Sequence, residues 1–61
     1  MNLPKILIVD DSSIIRKALT RQLVKFGARV TQAEDGLEGL QQALSGSFDL
    51  VISAVELEEF L

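Results

Sequence analysis

The chain is predicted to fold as an α/β unit: a parallel three-stranded sheet of order 2-1-3 with one helix on each face. Three observations support this. The runs Ile6-Leu7-Ile8-Val9 and Leu50-Val51-Ile52 are apolar without alternation, as strands buried on both faces of a parallel sheet are. Segments with helical apolar spacing lie between the strand-like runs. Strands separated by helices pair in parallel through right-handed crossovers, giving the order β-α-β-α-β.

The first strand covers about residues 4–9 and ends at Asp10-Asp11. Ser12 or Ser13 can cap the helix that follows, over 13–26, where Ile15, Leu19, Leu23 and Phe26 repeat at helical spacing. Gly27 is placed to stop it. A short strand over 28–33 reads as lying near a sheet edge, with Val30 and Gln32 facing opposite ways. Asp35 opens a second helix, over 36–45, as its N-cap, and Glu38 completes a capping box. Leu37, Leu40 and Leu44 share one face of that helix, and Ser45-Gly46-Ser47 closes it. The third strand covers 49–55, is apolar on both faces and has one neighbour. A flat apolar edge of this kind invites pairing.

Composition narrows the function. Cysteine and histidine are absent, which removes disulfides, thiolate metal sites and the commonest general base. Six basic and nine acidic residues give a net charge of -3, so no nucleic-acid partner is expected. Nor is a membrane partner, because no apolar run approaches a membrane span; a cytoplasmic location is the expectation. Burial of apolar surface in a chain of 6.7 kDa contributes on the order of 90 kcal/mol. Ordering 61 residues costs about as much, at roughly 1.5 kcal/mol each. Oligomerisation, or the rest of a larger fold, is therefore expected to complete it.

Asp10 and Asp11 fall at the carboxyl end of the first strand, where open α/β sheets place ligand sites. Adjacent carboxylates repel, and a hard cation such as Mg²⁺ relieves that repulsion. The plainer reading is that one aspartate helps cap the helix while the other is solvated. Arg16, Lys17, Arg21 and Lys25 read mainly as the solvated side of an amphipathic helix. Asp35-Gly36 with Glu38-Gly39 lacks the lysine and spacing of a phosphate loop.

Ile6-Leu7-Ile8-Val9-Asp10-Asp11-Ser12, Arg16, Leu19, Gly27, Asp35-Gly36, Glu38-Gly39-Leu40 and Phe48-Asp49-Leu50-Val51-Ile52 together resemble the N-terminal half of a response-regulator receiver domain. These are the phosphoacceptor modules of two-component signalling, with a flavodoxin-like fold of five parallel strands. The resemblance implies that Asp11 is a direct Mg²⁺ ligand and that Asp10 acts largely through water. It also implies a third ligand, the main-chain carbonyl of Glu56, and a histidine kinase as the ancestral partner.

Two departures accompany it. The acceptor position falls on Ala54, whose methyl cannot form an acyl phosphate. Ser53, Asp49 and Glu56 are poor substitutes on position. The later strands of the family, with their hydroxyl and lysine site residues, are missing. The expectation is a single non-catalytic half-domain over 1–61 with a residual, weak Mg²⁺ site and no other cofactor. The alternative is an engineered or fragment half-fold that assembles as a homodimer through its third-strand edge, without signalling activity. A metal-dependent phosphatase of haloacid-dehalogenase type is disfavoured, since it needs Asp-x-Asp spacing.

Overall fold

A computed structural model of the chain describes residues 3–54. The elements run β1 (Lys5–Val9), α1 (Ser13–Lys25), β2 (Arg29–Ala33), α2 (Gly36–Ser45) and β3 (Leu50–Ser53). The sheet is parallel, of order β2-β1-β3. The expected fold class is therefore borne out, with all three strands starting one residue later than predicted and α1 ending one residue earlier. Residue 55, the expected end of the third strand, lies outside the described residues.

β1 is the spine of the unit. Strand residues alternate between faces, and both faces of β1 are covered. On one, Ile6 and Ile8 join Ala28, with Leu19 and Leu23 of α1, Val30 and Ile52 packed against them. On the other, Leu7 and Val9 join Ala33 and Phe48. There α2 approaches so closely that a Cβ on Gly39 would lie 2.6 Å from a Val9 methyl. The helices thus cover opposite faces, as predicted.

Helix ends follow local chemistry. The Ser12 hydroxyl accepts from the Ile15 N–H at 3.3 Å, so Ser12 rather than Ser13 is the N-cap of α1. Asp35 caps α2, accepting from the Glu38 N–H at 2.8 Å. The predicted capping box is shifted by one residue, because the Glu38 carboxylate reaches the Glu34 N–H, at 3.4 Å, rather than that of Asp35. Gly27 has φ +93°, the left-handed conformation that ends α1. Its nearest contact for an added Cβ is Leu3 Cδ2 at an ordinary 3.9 Å, so space is not the constraint. Gly27→Ala is therefore expected to destabilise by about 1 kcal/mol through backbone strain alone. Chemical denaturation should show a lower midpoint at an unchanged m-value.

The apolar stripes meet the core only in part, and one expectation about faces needs correction. The face shared by Leu37, Leu40 and Leu44 is not the buried side of α2; these leucines are 60%, 56% and 79% exposed, and the buried residue is Gly39. A leucine stripe wide enough for a core face stays outside because the helix docks through its smallest residue. Likewise, Ile15 and Phe26 are exposed, and only Leu19 and Leu23 of the predicted α1 stripe reach the core. Finally, Val30 and Gln32 face the same way, since strand residues two apart share a face. Val30 packs in the α1-side cluster, and Gln32 contacts α1.

Candidate functional site

The carboxyl ends of all three strands meet at Asp10. The Asp10 N–H donates to the Ala33 carbonyl at 3.1 Å, and the Ala54 N–H donates to the Val9 carbonyl at 3.0 Å. Asp10 is only 4% exposed, the one buried charged residue among those described. Its Oδ1 accepts from the Ser12 N–H at 2.8 Å, closing the turn that sends the chain into α1. Asp11 follows at once and is exposed. Neither half of the plainer sequence reading describes Asp10 fully: it holds the turn before the helix, while Ser12 supplies the cap.

Arg16 completes the arrangement from the first turns of α1. Its Nη1 donates to the main-chain carbonyl of Asp10 at 2.7 Å and its Nε to Gln32 Oε1 at 3.1 Å. The sequence reading grouped Arg16 with Lys17, Arg21 and Lys25 on a solvated face. Those three are exposed, whereas Arg16 is half-buried and tied to both β1 and β2. The signal that could have found it was the shared face of Val30 and Gln32, which turns Gln32 toward α1.

What can this site hold? Asp10 and Asp11 supply two carboxylates, and among the described residues no group of three or more His, Cys, Asp or Glu comes together to hold a metal. Mg²⁺ is commonly held by one or two carboxylates with several waters retained, so this all-oxygen donor pair fits such an ion. Glu56, the third expected ligand, lies outside the described residues. At the end of β3 the side chain is the methyl of Ala54, an exposed position. Ser53 pairs in register with Val9, one step from the Asp10 level and hence on the other face. Asp49 sits at the opposite end of the sheet, where its Oδ2 accepts from the Lys5 N–H at 2.8 Å.

Comparison with known proteins agrees with this architecture. The family described as "Response regulator receiver domain" matches residues 6–60. The transcriptional regulatory protein CusR of Escherichia coli is 36% identical over 55 residues, which is 90% of this chain and 24% of CusR. The hybrid signal transduction histidine kinase F of Dictyostelium discoideum is 35% identical over 48 residues, 79% of this chain and 4% of that protein. The chain therefore spans less than a quarter of either relative. Among solved structures, the chemotaxis response regulator CheY4 of Vibrio cholerae superposes with a TM-score of 0.83 at 40% identity. That superposition covers 85% of this chain and 43% of the other. With sheet order, acidic strand end and family match in agreement, the chain belongs to the response regulator receiver domain family.

Proposed function

We propose that this chain is a receiver unit of a two-component phosphorelay that keeps a weak Mg²⁺ site at Asp10 and Asp11 but takes no phosphoryl group. The observation that supports the reading is the bond from the Ala54 amide to the Val9 carbonyl, which carries the β3–β1 pairing one step past Ser53; on the family resemblance this is the acceptor's position, and here it bears a methyl. A methyl has no lone pair to attack phosphorus. Glu56, outside the described residues, is proposed to add its carbonyl as a third ligand. The ancestral partner is a histidine kinase, the setting is cytoplasmic, and the unit itself is not an enzyme. It corresponds to the first half of a receiver.

The test is a pair of measurements on the chain and on Ala54→Asp. Incubated with Mg²⁺ and a small acyl phosphate donor, the chain should gain no phosphoryl mass; a stoichiometric gain overturns the reading. In an amide-resolved titration, Mg²⁺ should shift Asp10, Asp11 and Ser12 at millimolar concentration, and silence there removes the cation site. Ala54→Asp adds a third carboxylate, and Mg²⁺ affinity should rise about tenfold or more by Coulomb attraction.

Assembly is a further part of the proposal. β3 pairs with β1 on one side, and Leu50 and Val51 on it are 51% and 48% exposed. Two copies joined antiparallel along β3 would form a six-stranded sheet and cover that edge. Ile52→Pro removes a ladder donor and should abolish the dimer in sedimentation equilibrium; unchanged assembly would sink this geometry. A purely structural module is the less favoured alternative, since it leaves the receiver match over residues 6–60 without a role.

A further inference from the structure

We infer that Arg16 is a positioning residue for the acidic pair, setting the affinity of the site for a divalent cation through the main chain of Asp10 rather than through its own charge. This rests on the cation-binding reading above. Asp10 is held at three of its polar groups. Its N–H donates to Ala33, its Oδ1 accepts from Ser12, and its carbonyl accepts from Arg16. The first two bonds come from a strand end and a tight turn, both of which open easily when unsupported. The third comes from a guanidinium that also grips Gln32, so one planar group ties the last residue before the turn to the neighbouring strand. Only an arginine offers two donors in a fixed fork for such a span.

The contact is with a carbonyl, not a carboxylate. Arg16 therefore leaves Asp10 Oδ2 and the Asp11 carboxylate without a described hydrogen bond, where a cation can take them. This separates two effects of opposite sign. As a charge, Arg16 repels Mg²⁺, and removing it should tighten binding. As a support, it orients the carboxylates from one layer out, and removing such a partner typically costs 10- to 100-fold in metal affinity, about tenfold being expected here.

Mg²⁺ titrations of the chain, Arg16→Gln, Arg16→Lys and Gln32→Ala, followed by amide shifts at Asp10 to Ser12, decide the matter. Arg16→Gln is expected to bind about tenfold more weakly. Arg16→Lys keeps the charge but cannot span both acceptors, and should fall with it. Gln32→Ala removes an exposed side chain and one prong, so it keeps the fold and should show a smaller loss of the same sign. A metal-free readout accompanies these: amide exchange at Ser12 should quicken about tenfold in Arg16→Gln at matched global stability. Tighter Mg²⁺ binding in Arg16→Gln, or full recovery in Arg16→Lys, overturns the proposal. So does unchanged Ser12 exchange. If Arg16→Gln does not fold, Arg16→Lys and Gln32→Ala decide by the same readouts. If the unsubstituted chain ignores Mg²⁺, the cation site fails along with its tuning, whereas a normal response with unaltered variants removes the role of Arg16 alone.

Discussion

Gly39→Ala is expected to destabilise the chain by roughly 1–3 kcal/mol, against the ordinary helix preference. Alanine in a helix interior is normally better than glycine by about 1 kcal/mol, so propensity alone predicts a gain. The structure opposes it. A Cβ at position 39 would lie 2.6 Å and 2.9 Å from the two methyls of Val9 and 3.4 Å from its Cβ. Val9 is 4% exposed and β-branched, so turning χ1 brings one methyl in as the other leaves. The helix backbone must shift instead. Thermal unfolding should show a melting temperature lower by about 4–8 °C per kcal/mol for a unit of this size. The companion variant is Val9→Ala, which leaves a cavity alone but makes room for the new methyl in the double mutant. A coupling energy of about 1 kcal/mol or more, of the sign that rescues, is expected. A higher melting temperature for Gly39→Ala would mean that α2 does not dock on β1 through this glycine.

The same glycine marks the limit of what could be read from the chain. Strand β1 was legible because a run of four apolar residues has no solvent face, and the structure buries Ile6 through Val9 on two sides. Helix starts were legible because Ser12 and Asp35 carry the oxygen that an orphan N–H needs. The docking face of α2 was not. Leucine spacing identifies an apolar stripe, but which stripe touches the sheet depends on how near the helix can come, and glycine permits the nearest approach. Hydrophobicity alone carries no signal for a contact made by the absence of a side chain.

The site divides in a similar way. Asp10 and Asp11 were readable from their place after a buried strand, since chain position fixes which sheet end they occupy. Ala54 gave no signal of its own, because an alanine at a strand end has no chemistry, and its proposed place at the acceptor position rests on the family resemblance. Arg16 escaped for a geometric reason. Its partners are a main-chain carbonyl six residues back and a side chain sixteen residues on, and neither distance follows a helical or strand period. Reading Val30 and Gln32 as facing opposite ways concealed the second partner.

Ile8→Ala should have the largest effect of any single substitution among the described residues, about 2–5 kcal/mol. Ile8 is fully buried, paired in register with Gln32 on one side and Ile52 on the other, and packed within the cluster that holds α1. Its removal leaves a void between two strands and a helix, none of which can collapse without breaking the parallel ladder. It also sits two residues before Asp10 on the same strand face, so the Mg²⁺ response should vanish at the same denaturant concentration as the helical signal. Ile8→Val, which deletes one methylene, should cost only about 0.5–1.5 kcal/mol. Leu44→Ala provides the contrast. Leu44 is 79% exposed, and in an isolated chain its loss should stay within about 0.5 kcal/mol. Measured at low and high protein concentration, the pair separates the core from an interface. A cost for Ile8→Ala at every concentration, beside a cost for Leu44→Ala that appears only when the protein is concentrated, would mean that a second copy covers the leucine face of α2. Equal and small effects at all concentrations would instead refute the placement of Ile8 at the centre of the core.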